Sequence, residues 1–284
     1  MNTESTNAPG DNQAPGRKKR IIFLDYDLNN YHANTFRDLL KCDLADSGYV
    51  LAGCRALNVE SGREWAEKSG VPFLDEDDEV QVDGVAVLAP SNPEVHAKLV
   101  QEACRFRAPI YVDKTFAPTV EEADAIFRMA DVAGVPLFTT SALRYADELT
   151  VLREWNASGS LLQMQVYGGG ATAAEYLIHP VETLISTMGT DIVDYDHRKT
   201  GPLEQIRLVY ERGCIGTIYM YPKSQSGFRV VGATAEKTVH LEVTSPIFKN
   251  LLSQILSFFS QAKEPFGRVE TRTVISLLQK TLAR

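Results

Sequence analysis

From Ile21 to Thr140 the chain alternates short apolar runs with capped amphipathic segments, and few architectures satisfy that rhythm. The apolar runs are Ile21-Ile22-Phe23-Leu24, Tyr49 to Cys54, Val82 to Leu88, Pro109 to Val112 and Val135 to Thr140. They are short, and most are too uniformly apolar for a strand with one wet face, so they read as strands covered on both sides. Between them, Thr35 to Leu44, Ser61 to Ser69, Pro93 to Arg105 and Thr119 to Ala133 carry apolar residues at helical spacing. The punctuation agrees. Gly70 and Gly134 suit left-handed C-caps, Pro93 suits a first helical turn, and Thr119 with Glu122 forms a capping box. The fold class expected is α/β: a doubly wound, Rossmann-like parallel sheet.

After about Ala146 the pattern changes. Leu161–Tyr167, Ile206–Tyr210, Ile215–Tyr221, Phe228–Val231 and Thr238–Val243 read as strands, several joined by turn residues such as Glu211-Arg212-Gly213. A helix is expected over Glu175–Met188, ending at Gly189, and helices over Ile247–Ala262 and Thr271–Leu282 close the chain. This second part reads as an α+β domain with a mostly antiparallel open sheet. With 284 residues the chain is comfortable with two cores. The expected division is a disordered tail over 1–18, whose start is rich in Asn, Thr, Ser, Pro and Gly, then domains over 19–145 and 146–284.

Composition excludes some functions. The net charge is −8, which disfavours a nucleic-acid partner, and the basic run Arg17-Lys18-Lys19-Arg20 is a short lead-in to the first strand. Cys42, Cys54, Cys104 and Cys214 are widely spaced, so no metal knuckle or redox dithiol is expected, and a reducing, cytoplasmic setting fits best. No apolar run approaches membrane-spanning length, and no signal peptide is expected.

Chemistry concentrates at two places. Lys114 ends the run Ile110-Tyr111-Val112-Asp113-Lys114, at the carboxyl end of a buried strand, where open α/β sheets hold ligands. Glu175 and His179 lie four apart and would share one helix face, so the carboxylate could orient the imidazole. A cleft between the lobes that brings Lys114 and His179 to one small polar guest is the expected site. Gly168-Gly169-Gly170 lacks a following Lys-Ser/Thr, so it is a flexible loop rather than a phosphate cradle.

Four segments in order give a resemblance. Val85-Ala86-Val87-Leu88-Ala89-Pro90 is followed by His96. Asp113-Lys114-Thr115 stands where a Glu-Lys-Pro motif would. Thr119–Leu137 is followed by Arg144-Tyr145, and Glu175-Tyr176-Leu177-Ile178-His179 runs on to Gly189. Together they resemble the Gfo/Idh/MocA oxidoreductases, over roughly Arg20 to the C-terminus. The resemblance implies a dinucleotide-binding first domain, a substrate and oligomerisation domain, NAD or NADP as cofactor, and hydride transfer at a hydroxyl or carbonyl carbon of a sugar-like substrate. It implies His179 as acid/base with Glu175 and Lys114 as its catalytic partners, and a homo-oligomer. Cofactor contacts would come from Asp25, Asn29, Asn30, Tyr31, His32, Arg55, Pro90, His96 and Lys114, and substrate contacts from Arg144, Tyr145 and Tyr176.

The chain departs from that pattern at the first turn. Asp25-Tyr26-Asp27-Leu28-Asn29-Asn30 replaces the glycine-rich loop, and Cys54-Arg55-Ala56 ends the second strand without an acid. A carboxylate about 4 Å from a phosphate charge costs about 4 kcal/mol at an effective dielectric near 20. Two alternatives therefore stand beside the oxidoreductase: a ligand- or partner-binding protein that has lost the dinucleotide, and a non-redox lyase or isomerase.

Overall fold

The computed structural model describes residues 17–90, 92–224 and 227–283; nearly all of the tail expected over 1–18 lies outside them. The first strand, β1 (Lys19–Asp25), leads into α1 (Tyr31–Lys41), then β2 (Tyr49–Ala56), α2 (Val59–Ser69), β3 (Gly84–Val87), α3 (His96–Ala103), β4 (Ile110–Val112), α4 (Val120–Ala133) and β5 (Leu137–Thr139). These strands form one parallel sheet in the order β2-β1-β3-β4-β5. Helix ends follow the expected chemistry. Thr119 Oγ1 accepts the Glu122 N–H at 3.2 Å, a cap worth about 1 kcal/mol. Gly70 and Gly134 take left-handed conformations.

One helix begins earlier than its apolar spacing predicts. Helix α1 starts at Tyr31 rather than Thr35, because Asn30 Oδ1 accepts the Ala33 N–H at 3.0 Å and caps the new first turn. Tyr31 and His32 are therefore helical, not part of a phosphate loop.

The sheet is buried on both faces, which explains its uniformly apolar strands. Ile22, Leu24, Val85, Val87, Ile110 and Val112 belong to one core, Ile21, Phe23, Ala86, Leu88 and Tyr111 to the other. The alternation is the strand period of two.

The second lobe begins with α5 (Thr150–Ala157), β6 (Gln163–Gly170), α6 (Ala173–Tyr176) and α7 (Ile178–Met188). It continues through β7 (Ile192–Thr200), β8 (Leu203–Tyr210), β9 (Ile215–Pro222), β10 (Arg229–Ala233) and β11 (Thr238–Glu242). The sheet order is β11-β10-β6-β9-β8-β7, antiparallel except for the β6–β9 pair. Strand β7 escapes a reading by apolar alternation because Asp194, Asp196, Arg198 and Lys199 make it a charged edge, as exposed edges require. The three glycines expected to loop out instead end β6. A Cβ at Gly168 would lie 2.9 Å from the Phe228 ring, and one at Gly170 would lie 2.0 Å from Tyr176. Gly168 and Gly170 are spacers for two aromatic rings.

The chain then returns to the first lobe. Helix α8 (Ile247–Gln261) buries Leu251, Leu252, Ile255, Leu256, Phe258 and Phe259 in the core of the parallel sheet, and Tyr49 Oη donates to Leu256 O at 3.1 Å. Residues 247–261 thus pack with the domain expected to end at 145. Helix α9 (Arg268–Leu282) packs against α7 and α4. Among the described residues no helix is long and apolar enough to cross a membrane.

Phe259 lies so close over β3 that a Cβ on Gly84 would meet its ring at 2.4 Å. Gly84→Ala is expected to lower the urea midpoint by an amount equivalent to about 1–3 kcal/mol, the usual range for overpacking. An unchanged midpoint would show that α8 does not seat on this strand.

Candidate functional site

The site is organised by a carboxylate with no route to water. Asp113 follows β4 and is fully buried. Its Oδ1 accepts the Lys114 N–H at 2.8 Å and the Tyr111 hydroxyl at 3.1 Å, and its Oδ2 contacts His32 Nδ1. Burial pushes its pKa up, but His32 and Lys114 more than offset that and hold it below the ordinary carboxylate value. His32 reaches Asp113 from the first turn of α1, and its ring is packed edge-on against Phe248 of α8 at 5.1 Å. With Nδ1 committed to a carboxylate, Nε2 is the nitrogen left to exchange a proton.

Lys114 is 8% exposed and donates from Nζ to Pro90 O at 3.1 Å. Burial lowers its pKa despite the opposing charges of Asp113 and Glu175. His179 comes from the other lobe, on the first turn of α7, and its Nδ1 pairs with Ser141 Oγ at 2.6 Å. Burial, then the neighbouring Lys114 and His32, bring its pKa down to about 3. His179 is therefore a neutral imidazole at physiological pH.

The expected partnership of Glu175 with His179 is not formed. The helix predicted over Glu175–Met188 is broken into α6 and α7 at Leu177. Glu175 caps the short turn, accepting from Thr172 Oγ1 at 3.1 Å, and its charge is felt by Lys114. Ser141 holds the imidazole instead. Ser141 in turn is fixed by Glu182, which accepts the Ser141 N–H at 2.7 Å, Thr140 Oγ1 at 2.5 Å and Arg144 Nε at 2.8 Å.

Two residues expected to touch substrate are committed to packing. Arg144 is buried, paired with Glu182 and Glu270, and its guanidinium lies 3.8 Å from the Phe266 ring centroid. Tyr145 packs against the core of the first lobe. Tyr176 is better placed, with its ring 5.8 Å from His179. The cleft is narrower than expected. A water-sized cavity of about 20 Å³ touches Lys114, Thr140, Arg144 and Glu182. An open cavity of about 420 Å³ lies beside His179, lined by Gly169, Gly170, Tyr176, Lys223 and Phe228. Neither is lined by both Lys114 and His179.

The crest over β1 is where the cofactor contacts were expected, and several of its amides already have acceptors. Asp25 is 1% exposed; its Oδ1 accepts the N–H groups of Ala89 at 3.0 Å and Asp27 at 3.2 Å. Its Oδ2 accepts Asn30 Nδ2 at 2.8 Å. Asp27 accepts Asn29 N–H at 2.9 Å and Ser61 Oγ at 2.7 Å, which ties the β1–α1 turn to α2. Arg55 pairs with Glu102 at 2.6 Å rather than standing free for a phosphate. His96 is buried among the carbonyls of Leu88, Ala89 and Phe116 and staples α3 to the β3 and β4 ends. Among the described residues no His/Cys/Asp/Glu group could hold a metal ion.

No protein-family model matches the chain, and no curated protein does. Solved structures do. A myo-inositol 2-dehydrogenase from Lactobacillus plantarum is 12% identical, with a TM-score of 0.76 over 93% of this chain and 96% of that one. GenD2 from gentamicin A biosynthesis, solved with NAD, is 13% identical with a TM-score of 0.75 over 98% and 97%. An oxidoreductase from Agrobacterium radiobacter, solved with NAD+, L-tartaric acid and magnesium, is 12% identical with a TM-score of 0.70 over 94% and 96%. The chain has the two-lobed fold of the Gfo/Idh/MocA-type oxidoreductases.

Asp25 offers a direct test of the crest. Burial raises its pKa from 3.8 to about 7, against the opposing hydrogen bonds of Asn30, Asp27 and Ala89. A folded pKa above the unfolded one means stability that is full below pH 4 and is lost as pH rises through 7. The ceiling on that loss is about 4 kcal/mol, from 1.36 kcal/mol per unit. Asp25→Asn is expected to flatten this part of the stability profile in denaturant melts between pH 4 and 8; parallel profiles for the two proteins would place the carboxylate in water.

Proposed function

We propose that the chain is an oxidoreductase-type enzyme that acts at a hydroxyl or carbonyl carbon of a small, polar, sugar-like molecule. The observation that carries this reading is that Lys114 follows β4 while Ser141, which holds His179 of the other lobe, follows the neighbouring β5, so the two groups stand at the ends of adjacent strands. The shared fold with dehydrogenases supports it. Lys114, a buried ammonium, would hold the substrate oxygen and stabilise negative charge growing there. A neutral His179 would act as a relay: Nε2 exchanges the hydroxyl proton while Nδ1 trades its own with Ser141 Oγ. Tyr176 and Phe228 would form the apolar walls by which the guest enters.

NAD, which GenD2 was solved with, or NADP would supply a hydride acceptor when bound. The residues of this chain do not fit its diphosphate in the usual turn. That turn works by aiming free amide N–H groups at phosphate oxygens. Here the amides of Asp27, Asn29, Ala33 and Ala89 are taken by Asp25, Asp27 and Asn30. No step of the proton chemistry above passes through the dinucleotide.

Two measurements test the reading. On a panel of polyols, aldoses and ketoses, His179→Asn is expected to lower kcat by 10²–10⁴, the ordinary value of positioned proton transfer. Undiminished turnover would remove His179 from the chemistry. Titration with NADH and NADPH, followed by nicotinamide fluorescence, is expected to saturate only well above micromolar concentration, because amides of the turn are already taken; saturation at micromolar concentration would restore the ordinary cofactor site.

A further inference from the structure

The site contains one proton-transfer group more than the proposed function uses. His32 and Asp113 form a buried imidazole–carboxylate pair on the opposite lobe from His179, and the same carboxylate accepts the amide of Lys114. The pair is built rather than incidental. Asp113 is fully buried and has further donors in Tyr111 Oη and the Lys114 amide, so it cannot turn away from His32. The single Tyr111 hydroxyl proton lies between Asp113 Oδ1 at 3.1 Å and Thr140 O at 3.2 Å, which brings the pair beside the segment carrying Ser141, the partner of His179. Phe248 and Phe36 pack on the His32 ring and fix its plane. The two imidazoles differ in partner: His32 Nδ1 meets a carboxylate, whereas His179 Nδ1 meets a hydroxyl.

We infer that His32, positioned by Asp113, is a catalytic base for carbon-bound protons, and that the chain interconverts α-hydroxycarbonyl compounds by moving a proton between adjacent carbons. This rests on the reading of the Lys114–His179 cleft as the place where a hydroxyl carbon is oxidised, and it changes only where the electrons go. His32 Nε2 removes the proton from the hydroxyl-bearing carbon. The electron pair of that C–H bond becomes the carbon–carbon double bond of an enediol, and the carbonyl electron pair moves onto its oxygen beside Lys114. His179 passes the first hydroxyl's proton to that second oxygen as a new carbonyl forms at the first carbon. The double-bond pair then takes the proton from His32 at the neighbouring carbon. One carbon loses two electrons and its neighbour gains them, so the step needs no external oxidant. The spent amides of the β1 crest fit such an enzyme, which has no diphosphate to hold.

The test uses the full-length protein in D₂O with no dinucleotide, incubated with dihydroxyacetone, glyceraldehyde and a set of four- to six-carbon aldoses and ketoses, followed by proton NMR. Deuterium is expected to appear at the carbon adjacent to a carbonyl, together with the isomeric product, for at least one member. His32→Gln is expected to lower exchange at least 100-fold. Asp113→Asn is expected to lower kcat with KM unchanged, as befits a positioning residue, and Asp113→Glu to recover part of the rate. Melting curves establish that each variant is folded, and the wild-type result stands if a variant is not. Undiminished exchange in folded His32→Gln would overturn the assignment of His32. Absence of exchange across the panel, with oxidation seen only when NAD(P)⁺ is added, would overturn the inference and leave the proposed function standing. Absence of any turnover with or without NAD(P)⁺ would overturn both.

Discussion

The hydrogen-bonded burial of the Asp113 carboxylate is the constraint to which the site answers. An ionised carboxylate out of water is costly unless its oxygens are met by donors. Here the donors come from separate parts of the fold: Tyr111 and the Lys114 amide from the β4 strand and its end, and His32 from α1. Meeting that demand fixes the first turn of α1 over the end of β4, and it brings α8 with it, because Phe248 packs on the His32 ring. A charge compensated in this way is weak evidence for stability as such. Its consequence is geometric, since one imidazole and one ammonium are held at the mouth of the cleft.

A second buried carboxylate does the same for the other wall. Glu182 gathers Thr140, the Ser141 amide and Arg144, and Arg144 continues to Glu270 on α9. The effect is to set the Ser141 hydroxyl where His179 can meet it. The two imidazoles consequently differ in character. One has a carboxylate neighbour; the other has a hydroxyl, and burial holds it neutral.

Much of the fold was legible because it depends on period and punctuation. Uniformly apolar runs marked the two-faced sheet, and Thr119, Gly70 and Gly134 marked helix ends that the structure reproduces. Strand β7 was not legible, because an exposed edge carries charges that mask its alternation. The return of α8 to the first lobe was also hidden, since an apolar helix face does not say which sheet it covers. At the site, Lys114 and His179 stood out by position along the chain. Ser141, Glu182 and Tyr111 did not, because their roles come from partners that are distant in sequence. Arg144 shows the converse error: an arginine beside a motif was read as a ligand contact, whereas two carboxylates and an aromatic ring claim it.

The first turn shows why a missing motif should be read through what replaces it. Losing glycines removes conformational freedom and close approach, but it does not by itself remove the amide donors that bind phosphate. In this chain three of those donors, the amides of Asp27, Asn29 and Ala33, are taken by side chains. Asp25 takes two amides, Asp27 takes a third and closes onto Ser61, and Asn30 caps the helix whose N-terminus would otherwise face an anion. A carboxylate and a phosphate compete for the same donors, and the internal carboxylate has no association entropy to overcome. The turn is therefore braced by its own side chains, and these hydrogen bonds give it a structural reason to persist whatever molecule the cleft receives.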